Sequence, residues 1–107
     1  MRRRTVIVGM IAAIASGAYA ATQPHLVGQK GKTFSVKALK VKVDELVVFR
    51  NDDNVTHHVY SATKGQEFNL RVMHPGHEGR RNFATPGAVL VQCGLHPGMR
   101  LTITVAP

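Results

Sequence analysis

The chain has 107 residues, with 14 Lys and Arg against 6 Asp and Glu, a single Cys, and a formal charge of +8 at pH 7. This length predicts one domain with one small core. The basic residues are scattered, and the chain has no Trp and only 2 Tyr, so it lacks both the basic patch and the stacking surface that nucleic-acid binding needs.

Residues 1–20 predict a secretory signal peptide that is removed after Ala20. A basic "MRRR" precedes the apolar run "TVIVGMIAAIASG", and "AYA" at 18–20 has the small-x-small form of a cleavage site. A retained membrane anchor is the alternative, but the apolar run is shorter than the roughly 20 residues of a spanning helix. Three basic residues leave with the signal peptide, and the remaining eleven against six acidic ones give the domain at 21–107 a charge of +5.

The domain itself consists of short segments rich in Val, Thr, Phe and Leu, separated by turn signals. In chain order the segments are KTFSVKAL, VKVDELVVFRN, HHVYSA, EFNLRV, RRNFATPG, GAVLVQC and MRLTITVAP. Asp44, the cluster "NDDN" at 51–54, and the pairs that end in Gly65, Gly76, Gly87 and Gly98 mark the turns. We therefore predict an all-β sandwich of about seven to eight strands. His25, which precedes these segments, is expected on a loose solvated tail.

The lone cysteine, Cys93, carries the strongest chemical signal. In an exported protein an unpaired thiol suggests an intermolecular disulfide, a nucleophile or a metal ligand. In "VQCGLHPGMR" the cysteine ends one predicted strand, His96 lies in the turn, and Met99 begins the next strand. His57 also lies at a predicted strand end, after the "NDDN" turn. A nucleophile has no use for Met at a fixed spacing, and zinc favours four strong ligands. Two His, one Cys and a long, weak Met form the ligand set of electron-transfer copper sites.

With these residues the chain resembles a small blue-copper protein (cupredoxin) of the plastocyanin/amicyanin type. The motifs that carry the resemblance are N-x-D-x-x-x-H at 51–57, F-x-x-P-G at 83–87 and C-x-x-H-x-x-M at 93–99, and it extends from about "KTFSV" to the end. It implies a cupredoxin-like Greek-key β-sandwich that binds one type 1 copper ion. The implied copper ligands, which match those proposed from the residues, are His57, Cys93, His96 and Met99.

The sequence departs from that family at two positions beside the ligands. His58 stands where the family commonly has Asn, and Val91 stands where it favours an aromatic residue. Both departures concern the groups that support the ligands and tune the metal, and neither removes a ligand. Adjacent strand residues face opposite sides, so only one of His57 and His58 can reach the metal. The step of six residues from Asn51 favours His57, with His58 as the alternative.

The segment "MHPGH" at 73–77 repeats the form of "LHPGM" at 95–99. A solvated turn built on Pro-Gly is the favoured interpretation. A second copper-binding loop formed by Met73, His74 and His77 is the alternative. In amicyanin-like proteins this loop lies near the copper end, so Met73 is also expected to contribute to an apolar rim there.

Together these features predict an exported, periplasmic carrier of single electrons that is a monomer and not an enzyme. Its partners would be a dehydrogenase or a cytochrome that docks transiently around His96, where Leu95, Pro97 and Gly98 form a flat apolar patch. Neither nucleic-acid binding nor stable membrane insertion after signal cleavage is expected. A copper-handling carrier or resistance protein is the main alternative, and a metal-free β-sandwich interaction module is the third. The domain is too small for the further domains and copper centres of nitrite reductases or multicopper oxidases.

Overall fold

The computed structural model describes residues 23–107, which form nine β-strands. The predicted signal peptide and its cleavage point lie outside these residues. Within them, no helix is long and apolar enough to cross a membrane. The strands are β1 (His25–Lys30), β2 (Thr33–Phe34), β3 (Ala38–Lys42), β4 (Leu46–Asn51), β5 (His57–Ser61), β6 (Phe68–Met73), β7 (Glu78–Asn82), β8 (Gly87–Cys93) and β9 (Arg100–Ala106).

The strands form two mixed sheets, with the orders β2-β1-β4-β7 and β3-β9-β8-β5-β6. β1 pairs with β4 and β3 pairs with β9 in parallel, and the other pairs are antiparallel. The predicted all-β sandwich is therefore confirmed. Its strand count is higher than predicted for two reasons. β1 precedes the first predicted segment, and "KTFSVKAL" is divided into β2 and β3 by residues 35–37.

The expectation that His25 lies on a loose tail was wrong. His25 begins β1, which pairs with β4 over five residues, and its Nε2 lies 2.9 Å from the Glu45 carboxylate. The backbone N–H of Lys42 and the His25 side chain both hold the pKa of Glu45 below its usual value. Strand pairing, together with this contact, ties the start of the domain into the sheet. Because β1 contains a Gly and a buried Gln29, its residue pattern does not indicate a strand.

The core fills the space between the sheets and continues to one end of the sandwich. Alternate residues of β9 face it, and in β8 the inward row consists of Val89, Val91 and Cys93. Because successive strand residues face opposite sides, the same alternation that buries the two valines turns the Cys93 thiol inward. The cysteine is thus the last member of a core-facing row, at the point where the strand ends.

The loop between β4 and β5 is shaped by a buried amide, Asn51, whose exposed fraction is 1%. Its Nδ2 donates to the carbonyls of Val55 and Met73, at 2.8 and 2.9 Å. Its Oδ1 accepts from the backbone N–H of Asp53, at 2.9 Å. The amide thus donates two hydrogen bonds and accepts one. These contacts fix the path of the chain toward His57 and join it to the end of β6.

Candidate metal centre

Three segments meet at one end of the five-stranded sheet. β5 begins at His57, β8 ends at Cys93, and the loop at 94–99 leads from β8 into β9. β5 and β8 are antiparallel and place Val59 opposite Cys93. His57 therefore lies just beyond the end of β8, next to the thiol, and the short loop returns His96 to the same place.

The metal-binding atoms of these three residues form a small triangle. Cys93 Sγ lies 3.7 Å from His57 Nδ1 and 3.7 Å from His96 Nδ1, and the two nitrogens are 3.1 Å apart. A triangle with these sides has its centre about 2.0 Å from every corner, which is close to the bond lengths of first-row metals to imidazole nitrogen. Among residues 23–107 these three residues form the group of His, Cys and acidic side chains that could hold a metal ion.

The sulfur of Cys93 is buried and held by the backbone. The thiol is free of any disulfide and its residue is 6% exposed. The backbone N–H groups of His58 and Leu95 both donate to Sγ, each at 3.4 Å. Both N–H groups can also donate to a thiolate, since a charged acceptor makes the stronger hydrogen bond. The thiolate is also the form that binds metals.

The imidazole of His57 is oriented by a carboxylate. Its Nε2 lies 3.0 Å from Asp53 Oδ2, and the histidine is fully buried. The backbone N–H of Lys32, followed by the His57 side chain, lowers the pKa of Asp53 to about 2, so Asp53 is ionised at neutral pH. An ionised carboxylate can only accept a hydrogen bond, so Nε2 carries the proton. The lone pair of Nδ1 is then left free to face Cys93 and His96, as in metal-binding histidines with a carboxylate partner.

The structure places His58 outside this group. Its Nε2 lies 2.7 Å from Asn69 Oδ1, and its ring packs edge-on against that of Tyr60 on the outer side of the sheet. The backbone of His58 still supports the site, because its carbonyl accepts from the N–H of Gly94 at 2.8 Å and its N–H donates to the Cys93 sulfur. The side chain at 58 thus faces away from the metal centre, while the backbone joins its two loops.

The loop that carries His96 is a tight turn with Pro97 and Gly98 at its centre. The N–H of Met99 donates to the carbonyl of His96 at 3.2 Å, and Gly98 has a φ of 100°, which favours glycine. His96 is half-buried, and its neighbour Leu95 is 49% exposed. Met99 is buried, at 2% exposure, and its role as a fourth ligand stays a prediction.

The expectation that Met73 contributes to an apolar rim was wrong. Met73 is 3% exposed, and its sulfur accepts a hydrogen bond from Gln29 Nε2 at 3.4 Å. It lies opposite His57 in the pairing of β5 with β6, and strand alternation turns its side chain into the core. His74 and His77 are exposed on the turn that follows and take no part in the triangle.

Three residues of the site were not assigned these roles from the sequence. Asp53 was part of a recognised motif, but its contact with His57 depends on how the loop folds back. Asn69 lies on β6, and nothing in its local pattern indicates a contact with His58. Gly94 was not singled out, although a Cβ atom there would lie 2.7 Å from His58 Nδ1. A glycine directly after the only cysteine is the signal that could have identified it.

Comparison with known proteins shows the fold of the chain. No protein-family model matches the sequence, and a search of curated proteins gives no match. The structure is similar to that of a reduced amicyanin variant, with a TM-score of 0.70 and 22% identity over 75% of this chain and 79% of that one. It is also similar to the structure of a purple cupredoxin from Nitrosopumilus maritimus, with a TM-score of 0.68 and 23% identity over 77% of this chain and 99% of that one.

A copper-containing nitrite reductase from Thermus scotoductus SA-01 is also similar, with a TM-score of 0.74 and 25% identity. The match covers 79% of this chain but only 23% of the enzyme, so it concerns one part of a much larger protein. The chain therefore has the cupredoxin fold, as the sequence motifs predicted. At these identities the likeness establishes the architecture, and the function has to be argued from the site.

The contact between Gly94 and His58 gives a test of how the two loops are packed. Gly94→Ala should destabilise the protein by about 1–3 kcal/mol, because the new methyl group overlaps a ring that Asn69 holds in place. In a His58→Ala background the same change should cost less, since the overlapping ring is gone. Urea unfolding of the wild type, the two single variants and the double variant measures this coupling. Additive costs would show that the ring does not restrain Gly94.

Proposed function

We propose that the chain is an exported type 1 copper protein that carries single electrons between redox partners. The observation that carries the proposal is the triangle of His57 Nδ1, His96 Nδ1 and Cys93 Sγ, whose centre suits a metal ion. The cupredoxin fold supports it, because the structural neighbours include amicyanin and a purple cupredoxin.

The donor set fits copper better than zinc. Two imidazoles and one thiolate provide three strong donors, and the remaining candidate ligand is the thioether of the buried Met99, which is a poor zinc ligand. A trigonal group of two His and one Cys with a weak axial Met is the arrangement of electron-transfer copper sites. A copper ion held there would supply a one-electron couple between Cu(I) and Cu(II). We therefore assign His57, Cys93, His96 and Met99 as its ligands.

Contacts from the protein itself hold three of these ligands. Asp53 orients His57, two backbone N–H groups fix the Cys93 sulfur, and the Pro-Gly turn fixes His96. Most of these restraints come from backbone or buried groups, which have few alternative positions. Ligands that are fixed in this way move little when the charge at the centre changes by one, and that property favours rapid electron transfer.

Electrons would enter and leave through His96. His96 is the half-buried member of the triangle, whereas His57 and Cys93 are buried. The exposed Leu95 and Pro97 flank it on the surface. Such a patch suits the small, short-lived interfaces of redox partners, and we propose a dehydrogenase or a cytochrome as the partner.

A further exposed apolar residue, Val36, lies at the same end of the sandwich. Val36 is 39% exposed, and the carbonyl of the next residue, Lys37, accepts from the N–H of Thr102 at 3.0 Å. The contact places the segment before β3 beside the start of β9, at the end of the sandwich where the copper loop lies. With a charge of +5 on residues 21–107, the domain would favour a partner whose surface is acidic.

Three further features of the proposal come from the sequence. The signal peptide at 1–20 supports export to the periplasm. The small size of the domain favours a carrier over the larger multi-domain copper enzymes, and we propose that it acts as a monomer and not as an enzyme. The scattered charge of the chain supports protein partners over nucleic acid.

A copper-handling carrier remains the second candidate, because thiolate and thioether ligands serve metal transfer as well as electron transfer. One observation favours it specifically. In the exposed pair His74 and His77, His74 Nδ1 lies 3.4 Å from Thr56 Oγ1, directly before His57, and the pair could pass copper on. Against it stands the burial of Cys93, which makes exchange of the thiolate ligand slow.

The visible spectrum of the copper-loaded protein tests the type 1 site. A Cys93 thiolate bound to Cu(II) should give an intense charge-transfer band in the visible region. His57→Ala should abolish the band, because it removes a ligand whose Nδ1 lies in the triangle. His58→Ala is the matched control and should keep the band, since that side chain points to Asn69. Only weak d–d bands in the wild type would exclude the proposed site, and the reverse behaviour of the two variants would exclude the ligand assignment.

The contact between Asp53 and His57 predicts a specific loss of copper affinity. Asp53→Asn should weaken copper binding about 10–100-fold, as losses of groups that orient metal ligands generally do. The substitution keeps an oxygen acceptor near His57 but removes the negative charge. Asp52→Asn is the matched control, because Asp52 pairs with Arg50 on the surface. Competition with a copper chelator gives both affinities, and equal values for the two variants would contradict the role of Asp53.

Two rates together distinguish an electron carrier from a metal carrier. The electron carrier should exchange electrons rapidly with itself and hold copper in both oxidation states, because its ligands are already in position. The metal carrier should exchange electrons slowly and release Cu(I) to a competing chelator. Rapid copper loss that disappears when His74 and His77 are both replaced by Ala would overturn the electron-carrier proposal in favour of the second candidate.

A further inference from the structure

A second Pro-Gly turn, at residues 74–77, connects β6 to β7 and has a histidine at each end. The N–H of His77 donates to the carbonyl of His74 at 3.0 Å. Pro75 occupies the second position, and Gly76 occupies the third with a φ of 83°. Pro followed by a residue with positive φ is typical of a type II turn, in which the first and fourth residues lie close together.

The turn at 96–99 in the proposed copper centre has the same construction. Its closing hydrogen bond runs from the N–H of Met99 to the carbonyl of His96, and its Gly98 has a φ of 100°. The first residue of that turn is His96, whose Nδ1 lies 3.7 Å from the Cys93 sulfur. In the 74–77 turn the first and fourth residues are both histidines. The same backbone device therefore places two imidazoles side by side.

The two rings of the 74–77 turn are near the separation that a shared metal ion requires. Their centroids are 5.7 Å apart and their planes are at 79°. His57 and His96, whose nitrogens already converge, have centroids 4.7 Å apart and planes at 64°. The centroid separations of the two pairs differ by about 1 Å. His74 and His77 are exposed, so small rotations of their side chains can close this difference.

The backbone that presents this pair is held by Asn51. The N–H of Asn51 donates to the carbonyl of His77 at 2.9 Å, and the N–H of Gly76 donates to the carbonyl of Asn51 at 2.8 Å. The Asn51 side chain also binds the carbonyl of Met73, directly before the turn. These contacts fix both ends of the turn, and a fixed turn reduces the entropy that is lost when a ligand binds.

The ring nitrogens of the pair are more available than those of His25, His57 and His58. His25, His57 and His58 each contact an acidic or amide side chain at 3.0 Å or less. Within residues 23–107, the ring of His77 makes no hydrogen bond, and His74 Nδ1 makes only a 3.4 Å contact with Thr56 Oγ1. A metal ion that binds these two rings would therefore replace few existing hydrogen bonds.

We propose that His74 and His77 form a second, solvent-exposed metal site that binds Cu²⁺. Imidazole suits copper, zinc and nickel, and in a given site of nitrogen donors Cu²⁺ is bound most tightly of these. Glu78 is not counted as a ligand, because it pairs opposite Arg50 and lies 3.8 Å from Arg80. Water would complete the coordination. The site does not depend on the proposed function, since it shares no ligand with the Cys93 centre.

The test uses the mature protein and counts the Cu²⁺ ions it binds. The wild type is first supplied with enough Cu²⁺ to fill the Cys93 centre and is then titrated further with Cu²⁺, with EPR spectra recorded at each step. The second ion should give an axial signal with nitrogen superhyperfine splitting and no intense visible band. The variant with both His74→Asn and His77→Asn should lose this second ion. His25→Asn is the matched control and should keep it.

The two proposals fail in different ways. If the Cys93 centre binds no copper, the wild type should still bind one more Cu²⁺ than the double variant, and the second site stands. If the wild type binds no ion beyond the first, or the double variant binds it equally well, the second site is excluded. Each single variant, His74→Asn or His77→Asn, should weaken the second ion without affecting the first. Circular dichroism of the double variant verifies that the fold is retained.

Discussion

The pairing of β5 with β8 is the constraint on which the proposed metal centre depends. It places Val59 opposite Cys93, and it brings the N–H of His58 to the cysteine sulfur and the N–H of Gly94 to the His58 carbonyl. A shift of one residue in this register would turn the thiol toward solvent, because strand residues alternate between faces. The buried rows of both strands oppose such a shift, so the hydrophobic core fixes the position of the thiol.

Each candidate ligand of the centre is held by a different kind of contact with the protein. Asp53 fixes the tautomer of His57 through a carboxylate that stays ionised because a backbone N–H and an imidazole lower its pKa. Cys93 is held by main-chain donors, which cannot change rotamer. His96 is held by a turn that requires Gly98. The half-buried His96 is the ligand that lies nearest the surface patch.

Asn51 joins the two histidine-bearing regions of this end of the molecule. Its side chain shapes the loop that leads to Asp53 and His57, and its backbone holds the turn that presents His74 and His77. A buried amide can do both because it has donors and an acceptor in one small group, and its backbone groups remain free for a further pair of contacts. The exposed pair and the buried triangle are thus parts of one hydrogen-bonded framework, although they share no ligand.

Much of this could be predicted from the sequence, because the signals are local. The alternation of residues in "GAVLVQC" and "MRLTITVAP" indicates strands, the Pro-Gly pairs indicate turns, and the spacing of Cys93, His96 and Met99 needs only the short loop between them. Likewise, the opposite facing of His57 and His58 follows from strand geometry alone. These features depend on neighbours within a few residues, so the chain itself specifies them.

Other features were decided only by the tertiary structure, because they depend on residues that are distant in sequence. β1 gains its place from a parallel partner strand 22 residues further along, which explains why His25 is not on a tail. Met73 is buried because β6 lies beside β5 and Gln29 reaches its sulfur. The partners of Asp53 and His58 likewise come from loop closure and from a neighbouring strand. The sequence by itself determined which residues can bind a metal, and the packing of the two sheets determined which of them meet.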